Sequence, residues 1–316
     1  MKSATAILAD PIYKEHWTGD GHPERPQRCD AVLHALEREG AVKDALRIRP
    51  RAAGEDELAL CHSRKYIEIV RRDVAHGLAT LSTGDTQICP RSFEVALQAV
   101  GGVLNAVDAV VGRKAKNAFC VVRPPGHHAT ADTGMGFCLF NNIAIAARYA
   151  QKKYAVGRAV IVDWDVHHGN GTEAIFYGDG SVFYFSTHQS PWYPGTGAAG
   201  EIGEGAGEGT TLNCPFPAGS GRKEILGAFQ NKLLPAMRDF KPELVLISAG
   251  FDSRLGDPLG QFTLSDADFA DLTQVMLEIA DHYAGTRVVS VLEGGYSLSG
   301  LGAGAAAHVE ALRRVG

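Results

Sequence analysis

The sequence predicts a doubly wound α/β fold, a mostly parallel central sheet with helices on both faces. Three observations lead there. Short apolar runs alternate with longer helical patterns along the 316 residues. Several of these runs are apolar throughout, as strands covered on both faces must be. The polar residues able to do chemistry stand just after the runs, and open parallel sheets bind ligands beyond the carboxyl ends of their strands.

Each element follows from its own pattern. Apolar or β-branched runs at residues 4–9, 118–122, 159–162, 182–185, 244–248 and 288–292 predict strands. Helical spacing predicts helices at 24–39, 63–75, 93–111, 142–152, 223–240, 266–283 and 303–315. Ser265, ahead of Asp266-Ala267-Asp268, is the N-cap of the sixth. The glycine-rich stretch 195–209 is followed by a strand-like segment, so it predicts a long loop at the rim rather than a linker. No internal repeat is present, and one catalytic domain over residues 1–316 is expected.

Composition excludes several classes. The formal charge is −5 and no basic run tracks a phosphate backbone, so nucleic acid is not expected as a direct partner. Six dispersed cysteines, without a Cys-x-x-Cys pair, predict reduced and buried thiols. The apolar run near the start is broken by Asp10 and Pro11, too short for a signal sequence. No apolar stretch is expected to reach the roughly 20 residues of a membrane span. A soluble cytoplasmic protein with no membrane partner is the expectation.

The chemistry lies at four strand ends: Arg123-Pro124-Pro125-Gly126-His127-His128, then Asp163-Trp164-Asp165-Val166-His167-His168-Gly169-Asn170-Gly171, then Asp252, then Glu293-Gly294-Gly295-Tyr296. Alternate residues of an extended segment share a side, so Asp163, Asp165 and His167 can face one crevice. Adjacent buried carboxylates repel unless cations neutralise them. Asp165, His167 and Asp252 would supply two oxygens and a nitrogen and leave a coordination position open, the pattern of a catalytic zinc site, with Fe²⁺ or Mn²⁺ also compatible. A His pair can divide base and acid roles if its two environments separate the pKa values. A protonated Tyr296 can donate to a developing oxyanion. No Gly-x-Ser-x-Gly elbow suggests a serine hydrolase.

These motifs, in this order, resemble the histone deacetylase and acetylpolyamine amidohydrolase superfamily. Gly21-His22-Pro23-Glu24-Arg25-Pro26-Gln27-Arg28, Gly134-Met135-Gly136-Phe137-Cys138 and Pro194-Gly195-Thr196-Gly197 extend the resemblance over about residues 20 to 300. The forms look closest to class II and bacterial deacetylase-like enzymes. The resemblance implies the arginase-deacetylase fold and one Zn²⁺ per chain on Asp165, His167 and Asp252. It implies His128 as general base beside Asn170, His127 held by Asp163, and Tyr296 polarising the scissile carbonyl.

It further implies a structural K⁺ on main-chain carbonyls of Asp163, Asp165 and His167 with the Ser186 hydroxyl. A second monovalent site would involve Phe176, Asp179 and Val182. Phe137 and Tyr193 would wall a substrate tunnel near Gly136, Asp85 would accept substrate amides at the rim, and Arg28 would line the product exit.

Polyamine-selective relatives carry glutamate where Leu259 stands, so an acyl-lysine or another small N-acyl amine is favoured over an acetylpolyamine, with acyl length open. Trp164 replaces a smaller residue and is expected to fill packing space on the outward side of its strand. A prokaryotic-type stand-alone enzyme, with a homo-oligomer possible, fits the resemblance. The rivals are a binuclear manganese ureohydrolase and a non-catalytic acyl-binding module.

Overall fold

The structure, a computed structural model, describes residues 5–314. Eight strands form one sheet, every pairing parallel, in the order β2-β1-β3-β8-β7-β4-β5-β6. They are β1 (Thr5–Ala9), β2 (Leu46–Ile48), β3 (Asn117–Val121), β4 (Ala159–Asp163), β5 (Val182–Gln189), β6 (Thr211–Phe216), β7 (Leu244–Ala249) and β8 (Val288–Leu292). The helices are α1 (Gln27–Arg38), α2 (Glu55–Leu58), α3 (Arg64–Ala75), α4 (Ser92–Val111), α5 (Asn142–Tyr154), α6 (Asn170–Phe176), α7 (Arg222–Ala228), α8 (Leu234–Phe240), α9 (Asp266–Tyr283) and α10 (Leu298–Arg313). The doubly wound fold class is therefore as expected.

All six predicted strands are present. Ala4 of the first, and Val315 of the last predicted helix, lie outside the described residues. Central strands β3, β4, β7 and β8 are buried at every position, which is why their sequences run apolar without alternation. The strand-like segment after the glycine-rich loop is β6. Strand β2 was not anticipated; three residues at the sheet edge, two of them exposed, leave no hydrophobic signature.

Three helices depart from their patterns. α10 begins at Leu298, five residues earlier than predicted, and runs through Gly300, Gly302 and Gly304. A Cβ at Gly302 would sit 2.7 Å from the Ala31 carbonyl oxygen of α1, so Gly302 serves close helix packing, while Gly304 makes room for Phe251 and Phe269 and Gly300 for the Arg254 side chain. The stretch 223–240 divides into α7, a π-helical turn (Phe229–Leu233) and α8, where Pro235 lacks the N–H that a continuous helix needs. α1 starts after Pro26, later than predicted, because two prolines precede it.

Contrary to expectation, α4 has the length and composition of a membrane span; 67% of that window is buried inside the fold, as in a core helix. Trp164, one residue past the end of β4, is fully buried against Phe229 and His308 and so fills packing space in the core. Burying side chains of this kind contributes about 1.5–3 kcal/mol each.

Register sets up the site. Asp163 pairs across to Ser186 of β5 and to Ser248 of β7, and Ala249 pairs with Leu292. The carboxyl ends of four central strands thus finish side by side, and the loops that follow them meet over one spot.

Candidate active site

Asp165, His167 and Asp252 converge just past β4 and β7. Their ligand-type atoms all lie within 4.8 Å of one another, and among the described residues this is the only such acidic, histidine or cysteine group. His167 Nδ1 lies 3.0 Å from Asp165 Oδ1 and 3.2 Å from Asp252 Oδ2. Main-chain amides fix the carboxylates: Gly294 N–H donates to Asp165 Oδ2 at 2.7 Å, and Val166 N–H donates to Asp252 Oδ1 at 2.8 Å. Glycine is needed here, because a Cβ on Gly294 would meet Asp252 Oδ2 at 2.0 Å and one on Gly250 would meet Asp165 Oδ2 at 2.2 Å.

The donor set fits a divalent cation. Asp252 Oδ2 is buried and accepts no well-formed hydrogen bond, an orphan that a cation would satisfy. Burial, then the charge of Asp165, pushes the Asp252 carboxyl up to about 7. Burial opposes charge on His167, yet the Asp165 and Asp252 carboxylates push its imidazole up to about 10. The cluster thus demands positive charge at its centre.

The two adjacent histidines sit 4.0 Å apart between ring centroids in unlike settings. His127 Nδ1 lies 2.9 Å from Asp163 Oδ2, and burial is outweighed by Asp163 and Asp165, which push it up to about 10. His128 Nδ1 lies 2.8 Å from the Asn170 side-chain oxygen. Burial, then the neighbouring His127 and His167, holds His128 well below the usual histidine range. Their environments separate the pair as two-step proton transfer requires.

A cavity of about 330 Å³ opens onto the cluster, lined by Asp85, His128, Gly136, Phe137, His167, Trp192, Tyr193, Leu259 and Tyr296. Every residue expected at the tunnel and its rim lines it, while Arg28, expected at the product exit, does not. Gly136 is packed so closely that a Cβ there would meet the His128 ring at 2.3 Å. Asp85 bridges the two walls: Oδ1 accepts from Gly136 N–H at 2.7 Å and Oδ2 from the Tyr193 hydroxyl at 3.1 Å.

Tyr296 is a buried part of this cavity's wall, and burial with the nearby Asp252 charge holds its phenol well above the usual range. Arg28 lies beneath it, its guanidinium 5.1 Å from the ring centroid.

The residues expected to hold monovalent cations are placed as follows. Asp163 and Ser186 are register partners on β4 and β5, and the Ser186 hydroxyl also meets His188 Nδ1 at 2.9 Å. Phe176 ends α6 and Val182 begins β5; between them Asp179 pairs with Arg148.

Several participants were not read from the sequence. Buried Glu24 pairs with both Arg28 and Arg123, and Glu293 accepts the N–H groups of Gly126 (2.7 Å) and His127 (3.2 Å). Trp192 joins the rim and donates its indole N–H to the Leu259 carbonyl at 2.9 Å. The motif Glu293-Gly294-Gly295-Tyr296 contained a signal for Glu293, since a carboxylate in a buried strand-end turn needs donors; the other partners are far apart in sequence.

The histone deacetylase domain family matches residues 22–312. The chain is 37% identical over 298 residues to a probable deacetylase of Archaeoglobus fulgidus, covering 94% of this chain and 82% of that protein. It is 42% identical over 289 residues to the human polyamine deacetylase HDAC10, covering 88% of this chain and 43% of the human protein's length. The crystal structure of the HDA15 HD domain superposes with a TM-score of 0.93 at 37% identity, covering 98% of this chain and 90% of that one.

Proposed function

This chain belongs to the histone deacetylase family, and we propose that it is a zinc-dependent deacylase that hydrolyses acyl-lysine or a related small N-acyl amine. The observation that carries the proposal is the convergence of Asp165, His167 and Asp252 at the floor of a mostly apolar cavity, beside two histidines with unlike partners.

Asp165, His167 and Asp252 would hold a single Zn²⁺, which when bound supplies Lewis-acid polarisation of the amide carbonyl and acidifies a water. His128, neutral and oriented by Asn170, takes a proton from the attacking water. His127, kept charged by Asp163, stabilises the developing negative charge and helps deliver a proton to the leaving amine. Tyr296 donates its hydroxyl to the oxyanion. Phe137 and Tyr193 flank the alkyl chain of the substrate and exclude water from the reacting bond. K⁺ at the carbonyls of Asp163, Asp165 and His167 with Ser186, and a second ion near Phe176, Asp179 and Val182, would offset the buried aspartates.

Leu259 at the rim offers no carboxylate to a cationic polyamine, which favours acyl-lysine. Acetylpolyamine is the second reading, supported by the 42% identity to a polyamine deacetylase. The test is acetate release by metal-defined protein from acetyl-lysine peptide, longer acyl-lysines, acetylputrescine and acetylspermidine. Turnover that vanishes with a strong chelator and returns with zinc is expected. Binding without turnover of any member would instead assign an acyl-binding module.

A further inference from the structure

Asp257 lies five residues beyond Asp252 and is 7% exposed. Its Oδ2 accepts the main-chain N–H groups of Tyr296 at 2.7 Å and Ser297 at 3.0 Å. Its Oδ1 accepts the N–H of Leu259 at 3.0 Å. The Leu259 carbonyl in turn accepts from the indole of Trp192 at 2.9 Å, and Trp192 is 37% exposed at the cavity mouth. Hydrogen bonds therefore run without a break from the open rim to the backbone of Tyr296.

The opposite side of the same turn is held by Arg28. Its Nε donates to the Gly295 carbonyl at 2.7 Å, and a terminal nitrogen donates to the Glu293 carbonyl. Gly295 has φ +119°, a conformation without a side chain to restrict it, so the link before Tyr296 has little rigidity of its own. Arg28 fixes the carbonyls on one side, and Asp257 fixes the amides on the other. We propose that Asp257 is a positioning residue for Tyr296, coupling the rim at Trp192 and Leu259 to the oxyanion donor. This rests on the reading of Tyr296 as that donor in the proposed deacylation.

A carboxylate suits the task because it presents two acceptor oxygens and no donor. An asparagine would turn an NH₂ group toward either the Leu259 N–H or the Tyr296 and Ser297 pair, leaving donors facing a donor. A displacement of about 1 Å at a reacting group costs up to roughly 10²-fold in rate.

The experiment compares the zinc-loaded full chain with Asp257→Asn, Trp192→Phe, Tyr296→Phe and the Asp257→Asn/Tyr296→Phe double variant. It measures kcat and KM on acetyl-lysine peptide, bound zinc, and amide hydrogen exchange at Tyr296 and Ser297. Asp257→Asn is expected to lower kcat by about 10- to 100-fold with KM and zinc content nearly unchanged. In the Tyr296→Phe background the same substitution is expected to add little, because its effect passes through the missing hydroxyl. Trp192→Phe is expected to lower kcat in the same direction and to speed exchange at Tyr296. An undiminished Asp257→Asn loss in the Tyr296→Phe background overturns the proposal, as does unchanged exchange at Tyr296 in Trp192→Phe. An inactive wild-type chain would sink the deacylase reading alone, and the exchange data would still decide whether the rim is linked to Tyr296.

Discussion

His128 Nδ1 lies 2.8 Å from the side-chain oxygen of Asn170, a neutral partner, while the adjacent His127 faces the carboxylate of Asp163. A neutral amide oxygen orients the imidazole without the full charge of a carboxylate, so burial and the neighbouring His127 and His167 keep His128 neutral and able to accept a proton. His128→Ala is expected to lower kcat by about 10²–10⁴ on acetyl-lysine peptide, with a smaller loss for His127→Ala. Steady-state kinetics on both variants check this; a larger loss at His127 would reverse the two roles.

Asp252 Oδ2 is buried without a well-formed hydrogen bond, so its removal should empty the cation site. Asp252→Ala is expected to lose bound metal and activity together while remaining folded. Elemental analysis of the wild-type protein should find about one zinc per chain. Two manganese ions per chain would point to ureohydrolase-like chemistry instead.

Leu259 lines the cavity mouth, where a carboxylate could meet a cationic amine. Leu259→Glu is expected to raise kcat/KM for acetylspermidine relative to acetyl-lysine peptide by roughly 2- to 5-fold, the worth of one exposed ion pair. Competition between the two substrates in a single reaction measures that ratio directly, and no change would remove Leu259 as a selector.

Burial holds three histidines away from the metal cluster in their neutral form: His16 and His62 are lowered to about 4, and His308 to about 3. In the unfolded chain these groups titrate near 6.5, so between that pH and about 4 the unfolded state binds more protons than the native state. The stability these three groups contribute is therefore full above pH of about 6.5 and falls as pH drops below it, by roughly 1 kcal/mol per pH unit for each group. Proton NMR of the folded protein between pH of about 7.5 and about 5 is expected to show these three imidazoles still neutral. A titration midpoint near 6.5 for any of the three would contradict the neutral assignment.

The strands were legible because burial on both faces writes itself locally, as in Val288–Leu292, where all five residues are buried. The site was legible for a related reason: Asp165, His167, Asp252 and Tyr296 each stand a few residues past such a run. The start of α10 was not, since Gly300, Gly302 and Gly304 read as helix breakers until α1 packs against Gly302, the Arg254 side chain against Gly300, and Phe251 and Phe269 against Gly304. Neither was β2, whose edge position leaves two of its three residues exposed.

By itself the sequence determined the parallel sheet, the order of its chemical motifs and the residue types at the cluster, because these depend on hydrophobic runs and short spacings. Only the tertiary structure decided which charges meet. Glu24 finds Arg123 across 99 positions, Arg28 reaches the Gly295 carbonyl across 267, and Asp257 collects amides from two loops. Buried polar atoms must find partners, and the partner chosen depends on which loops the sheet register brings together, a relation that no local stretch of residues encodes.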